Sequence, residues 1–224
     1  MAATIPHIEL PADDHRADDS RSGVGSPAQH LKSNLYHRPT LSLTDRTMRP
    51  IFIIGYMASG KTTFGRALAR VLGREFIDLD FYIEQRYHAT ISEIFRREGE
   101  EEFRRKESAM LGEVADFEGV IVACGGGTPC FNDNMDLMLD RGITIWLTAT
   151  EECIVRRLMI NNSRRPLMSG KSEEEIRQEV RRGLQARLPH YRRAQIEHSG
   201  EHLESVKEID TNIDTFLRST TIPL

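Results

Sequence analysis

The chain has 224 residues with 30 basic and 34 acidic side chains, and its formal net charge of −4 excludes a polycationic nucleic-acid or membrane binder as the default class. Hydrophobic residues make up 39%, roughly 46% once the 16 glycines are added, so one soluble globular domain with a sizeable core is expected. No apolar run approaches the ~18 residues a bilayer span needs, and the N-terminus lacks the basic-then-apolar order of a secretory signal, which predicts a cytosolic protein.

Residues 1–48 hold 4 of the 9 prolines and 4 of the 8 histidines and include a polar run from Asp13 to Ser26. With little apolar surface to offset ordering entropy, the segment reads as a disordered extension preceding a domain over residues 49–224. Met48, directly before the first apolar run, is an alternative initiator that the sequence leaves open. From Arg49 onward short apolar strands alternate with amphipathic helices, the signature of βαβ units on a parallel sheet. Ile51 to Ile54 is a buried strand, followed by a helix over Lys61 to Leu72 with Phe64, Leu68, Val71 and Leu72 on one face. A second strand from Glu75 to Ile77 leads into Asp78-Leu79-Asp80 and delivers two carboxylates to the sheet edge where ligands gather.

Thr90 and Glu93 have capping-box spacing, Gly99 interrupts the helix they open, and a further helix runs from Glu100 to about Val114. Val120 to Ala123 and Ile143 to Leu147 are strands, the first leading into Gly125-Gly126-Gly127. A second capping box at Ser172 and Glu175 opens a helix expected to reach Arg187, before Pro189. Leu203, Val206, Ile209, Ile213, Phe216 and Leu217 recur at helical spacing and predict a closing helix. Cys124, Cys130 and Cys153 form an odd set with no C-x-x-C pair, so they read as reduced thiols.

Gly55-Tyr56-Met57-Ala58-Ser59-Gly60-Lys61-Thr62 fits G-x-x-x-x-G-K-S/T between a strand and a helix, the context a phosphate-binding loop requires. Backbone N–H groups around Ala58, Ser59 and Gly60 and at the helix start, through Thr63, would cradle the phosphates of ATP. Lys61 would neutralise the β and γ phosphates, and the Thr62 hydroxyl would ligate Mg2+. Such a loop serves GTPases, motors and small-molecule kinases alike, so the acceptor side must decide. There is no Asn-Lys-x-Asp guanine motif.

The acceptor side offers Asp78-Leu79-Asp80, the run from Gly99 to Glu107, Gly125-Gly126-Gly127 and Arg164-Arg165-Pro166-Leu167. Together with the phosphate loop, in this order and spacing from Arg49 to about Tyr191, they resemble the shikimate kinase family. The resemblance implies a three-layer α/β/α P-loop kinase fold with a central parallel sheet of about five strands. It also implies transfer of the γ-phosphoryl group of ATP, with Mg2+, to the 3-hydroxyl of shikimate by a monomer.

In those roles Asp78 would lie near Mg2+ through a water, and Asp80 would accept a hydrogen bond from the shikimate hydroxyl and orient or deprotonate it. Arg104 matches the arginine that binds the substrate carboxylate, with Glu107 three residues on to hold it and Arg105 and Lys106 directed to solvent. Gly126 would contact shikimate. Residues 161–171 would form a lid over ATP, with Arg165 stabilising charge on the transferring group. Arg187, in Arg187-Leu188-Pro189-His190-Tyr191, matches a second carboxylate-binding arginine.

Some positions depart from the family pattern. Ala58 stands where the family often has glycine, which is tolerable if φ there is negative. No basic residue between Ile209 and Phe216 matches the family's arginine near adenine, and Arg157 is an alternative in ambiguous register. His190 and His198 read as surface residues, and Cys124 and Trp146 as core. The rival readings are a related small-molecule kinase, such as a gluconate kinase, and a nucleotide-binding module without turnover.

Overall fold

The computed structural model describes residues 48–160 and 171–220. The predicted extension up to residue 47, and residues 161–170 of the predicted lid with Arg164 and Arg165, lie outside the described residues. The elements in chain order are β1 (Ile51–Ile54), α1 (Lys61–Leu72), β2 (Glu75–Asp78), α2 (Leu79–Tyr87), α3 (Ile91–Ala115), β3 (Val120–Ala123), α4 (Asn134–Arg141), β4 (Ile143–Thr148), α5 (Glu151–Ile160), α6 (Glu173–Tyr191), β5 (Ile196–Ser199) and α7 (Val206–Ser219). A 3-10 turn over Thr128–Cys130 joins the end of β3 to α4.

The strands form one sheet in the order β2-β3-β1-β4-β5, with every pair parallel. β1 is the central strand and is buried at all four residues, which is why it reads as an unbroken apolar run instead of an alternating one. Phe52 and Ile54 enter a core built with α2 to α6, while Ile51 and Ile53 enter one built with α1 and α7, giving the predicted three layers. The chain leaves β1 for β2 on one side of the sheet and later crosses to β4 on the other. The C-terminal end of β1 is therefore a topological switch point, the usual place for a ligand in such sheets.

Local chemistry accounts for the helix boundaries. Thr90 and Ser172 form the predicted capping boxes: the Glu93 N–H donates to the Thr90 hydroxyl at 3.2 Å and the Glu175 N–H to that of Ser172 at 3.3 Å. Ser205 and Glu208 make a third at the start of α7. Gly99, at φ 84° and ψ 176°, breaks α3 where expected, and only a residue without a side chain enters that conformation readily.

Several expectations need correction. α6 continues through Pro189 to Tyr191 because the proline costs only the one bond its own nitrogen would have donated. The Arg192 N–H still closes on the Leu188 carbonyl at 3.0 Å, and Tyr191 is fully buried. Val71 is 53% exposed, since α1 turns Phe64, Ala67 and Leu68 inward. His198 is half-buried against the rings of Phe64 and Phe216, with centroids 5.4 and 5.1 Å away, and its Nε2 lies 2.8 Å from Asn212 Oδ1. Trp146 is partly buried and packs against the core with its ring 6.0 Å from that of Tyr191.

Candidate active site

The phosphate loop leaves β1 and turns into α1 at Gly60, whose φ of 101° places it in left-handed backbone. The first helical bond runs from the Phe64 N–H to the Gly60 carbonyl at 2.9 Å, so the N–H groups of the first turn point out of the helix end. They form, with the helix dipole, an anion cradle. Lys61 curls back over the loop, its Nζ donating to the carbonyls of Gly55 and Tyr56, both at 2.9 Å. Ser59 is buried and its Oγ has no hydrogen-bond partner, an orphaned donor within the loop.

Ala58 requires a correction. Its φ is +62°, in the left-handed region, so the condition under which alanine would replace glycine without strain is not met. The loop holds its turn at a cost of roughly 1–2 kcal/mol for the Cβ.

β2 and α2 supply the carboxylates. Asp78 ends β2 and caps α2, accepting from the Phe81 N–H at 3.5 Å, and its other oxygen accepts from the Thr62 hydroxyl at 3.0 Å. Asp80, in the first turn of α2, faces the same cavity as Lys61. Burial, then the charges of Asp78, Glu107 and Glu84, push its carboxyl up to about 6 against the opposing pull of Lys61. The cavity has a volume of about 530 Å3, and its walls include Ala58, Gly60, Lys61, Thr62 and Thr63 on one side and Asp78, Asp80 and Gly126 on the other.

Arg104 and Arg187 come from α3 and α6, and the charges of both act on the Cys130 thiol in the turn that follows the glycine run. Arg104 donates to Glu107 at 2.8 Å and lies over the rings of Phe131 and Phe103, 3.9 and 5.0 Å from their centroids. A side chain on Gly127 would meet its guanidinium at 2.9 Å, so the glycine run leaves room for the arginine. Glu107 is 1% exposed and also accepts from the Thr128 hydroxyl at 2.6 Å. The Arg104 Nε is buried with no partner.

The helix surface around Arg104 divides differently from expectation. Arg105 is solvated, its side chain 72% exposed, but that of Lys106 is only 13% exposed. The Lys106 ammonium lies 4.3 Å from the Tyr87 ring centroid and 2.9 Å from Glu98, spanning the Gly99 break. An aliphatic stem can be buried while the charge stays paired. Arg157 is likewise committed within the protein. Its guanidinium donates to the Ala58 carbonyl at 3.2 Å, the Gly200 carbonyl at 2.9 Å and Glu204 at 2.8 Å, which braces the phosphate loop.

Sequence reasoning missed two residues of the site. Tyr191 served only to mark Arg187, yet its hydroxyl donates to the Gly126 carbonyl at 2.6 Å and fixes the glycine run against α6. A buried tyrosine needs such a partner, which was the available signal. Tyr56 passed as a variable loop position, although its ring lies beneath Arg187 with the guanidinium carbon 4.9 Å from the centroid. Cys124 is buried core as predicted, and burial raises its thiol far above the usual range.

The shikimate kinase family profile matches residues 57–218. The chain belongs to the shikimate kinase family. It is 45% identical over 168 residues to the shikimate kinase of Phocaeicola vulgatus, covering 75% of this chain and 96% of that protein. Among solved structures, the shikimate kinase from Bacteroides thetaiotaomicron superposes with a TM-score of 0.74 at 42% identity, covering 76% of this chain and 97% of that one. The shikimate kinase from Acinetobacter baumannii in complex with shikimate gives 0.67 at 34% identity, covering 77% and 93%. The family uses ATP as phosphoryl donor, and no described helix is long and apolar enough to cross a membrane.

Proposed function

We propose that this chain transfers the γ-phosphoryl group of ATP to the 3-hydroxyl of shikimate, giving shikimate 3-phosphate and ADP. The observation that carries the reading is one cavity lined both by the phosphate loop with Lys61 and by the partly buried Asp80, with Arg104 and Arg187 both in electrostatic reach of Cys130 in the turn that follows the glycine run. Gluconate also carries a carboxylate, so the arginine pair fits either acid acceptor, and the family match over residues 57–218 favours shikimate.

Asp80 accepts the proton of the acceptor hydroxyl as its oxygen bonds to the γ phosphorus and the bond from phosphorus to the β-phosphate oxygen breaks. A carboxyl held at about 6 is deprotonated at neutral pH and still basic enough to take that proton. Ala58, Ser59, Gly60 and Thr63 cradle the phosphates and Lys61 neutralises them. Arg104 and Arg187 clamp the substrate carboxylate, and the backbone of Gly126 lines the ring's edge. Arg165 is assigned to the charge on the transferring group by family resemblance.

The hydroxyl of Thr62 and the carboxylate of Asp78 suit Mg2+, which prefers few hard oxygen ligands and keeps water and phosphate oxygens for the rest. When bound, Mg2+ would offset charge on the β and γ phosphates.

A coupled ADP-release assay with MgATP tests the reading, run with and without shikimate and with gluconate and a nucleoside monophosphate as controls. Shikimate-dependent turnover that Asp80→Asn abolishes is the expected result. Turnover with a control acceptor alone overturns the substrate assignment, and binding of ATP and shikimate without product overturns the kinase reading.

A further inference from the structure

Tyr56 is the first variable residue of the phosphate loop, and it reaches in two directions. Its backbone carbonyl accepts from Lys61 Nζ at 2.9 Å, within the nucleotide half of the site. Its side chain crosses to α6, where the Arg187 guanidinium carbon lies 4.9 Å from the ring centroid and the arginine's charge acts on the buried hydroxyl. Tyr56 as a whole is 3% exposed, so it is enclosed between loop and helix.

α6 is shaped around this side chain. Gly183 lies inside the helix, where glycine costs roughly 0.5–1 kcal/mol relative to alanine. A Cβ at Gly183 would lie 2.4 Å from the Tyr56 hydroxyl oxygen, 2.8 Å from the ring edge and 3.0 Å from an Arg187 nitrogen. The gap in the helix surface is the space that Tyr56 and Arg187 jointly fill. Nothing else in the phosphate-loop motif requires an aromatic hydroxyl at this position.

We propose that Tyr56 is the positioning residue of Arg187, fixing its guanidinium for the substrate carboxylate and tying the acceptor side of the site to the phosphate loop. The ring gives the guanidinium a flat face, and the hydroxyl sets where along that face it rests. A free arginine side chain has several rotamers, and holding it in one reduces the entropy lost when the carboxylate binds. The proposal rests on the assignment of Arg187 to the acceptor carboxylate.

The test uses the full chain in steady-state kinetics with both substrates varied, on Tyr56→Phe, Arg187→Ala and the double variant. Removing the hydroxyl is expected to raise KM for shikimate about three- to tenfold, the scale of one ordinary polar contact. That rise should exceed any change in kcat or in KM for ATP. In the Arg187→Ala background Tyr56→Phe should add nothing further, because the residue it positions is gone. Gly183→Ala, which crowds the hydroxyl, should move the same parameter in the same direction.

Equal effects of Tyr56→Phe with and without Arg187, or an effect confined to ATP, would overturn the proposal. If Arg187→Ala leaves KM for shikimate unchanged, the acceptor-site assignment itself fails and the proposal with it. The two failures are thus distinguishable.

Discussion

Arg104 and Glu107 form an ion pair at 2.8 Å in which the carboxylate is 1% exposed, so the arginine assigned to the substrate carboxylate is already held by a buried one. Glu107 also accepts from Thr128 and is one of the charges that raise Asp80. A single side chain thus bears on the arginine proposed to orient the substrate, on the turn after β3 and on the protonation of Asp80, the proposed acceptor base. Glu107→Gln should cost about 3 kcal/mol in a urea titration, because breaking a buried pair leaves its partner uncompensated. It should also raise KM for shikimate and move the acid limb of the pH profile downward.

Asp80 should set the acid limb of kcat/KM in the wild-type protein, at about pH 6. Its stability effect has the opposite sense from a salt-bridged carboxylate. With a folded value above the unfolded one, the folded state binds more protons between about pH 4 and 6, so this group lowers stability as pH rises through that window. Asp80→Asn should therefore abolish turnover yet raise stability at pH 7.5 by on the order of 2 kcal/mol, with the gain shrinking as pH falls toward 4. Melting temperatures of the two proteins across that range decide the matter, and a less stable variant at pH 7.5 would contradict it.

His198 acts in the reverse direction. Burial between Phe64 and Phe216 lowers its value below the ordinary histidine range, with Asn212 opposing that shift. The unfolded chain then binds the extra proton first, so stability is lost as pH falls below about 6.5. Measured in the Asp80→Asn background, which removes the opposing carboxyl, His198→Phe should flatten the decline of stability between pH 7 and 5. An unchanged slope would show that the imidazole is not its source.

Ala58→Gly should relieve the left-handed strain in the phosphate loop. The gain is reduced by the larger entropy of glycine in the unfolded chain, leaving a net stabilisation of up to about 1 kcal/mol. Thermal unfolding without nucleotide reads this directly. A loss of stability would mean that the alanine methyl makes contacts worth more than its backbone strain.

What could be read in advance follows from the range of the interactions concerned. β1, the phosphate loop, the two capping boxes and the Gly99 break depend on neighbours within a few residues, and their residue types announced them. β5 did not, since Ile196-Glu197-His198-Ser199 carries one aliphatic residue and its second inward side chain is a histidine. The solvated reading of Lys106 failed because the Tyr87 ring that receives it lies on another helix. Arg157 was ambiguous for the same reason, as its partners Ala58, Gly200 and Glu204 are 43 to 99 residues away. The sign of φ at Ala58 is set by the turn closing over Lys61, which residue identity at that position alone does not reveal.

Arg157, at the end of α5, joins through one guanidinium the phosphate loop and the turn after β5. Those segments cannot loosen independently while their shared clasp holds. Their amide hydrogens should therefore exchange with solvent through a common opening event, in spite of the sequence distance between them. ATP held at the phosphate loop should slow exchange in both segments together, and an Arg157→Ala variant should weaken the protection of the turn after β5 more than that of the loop.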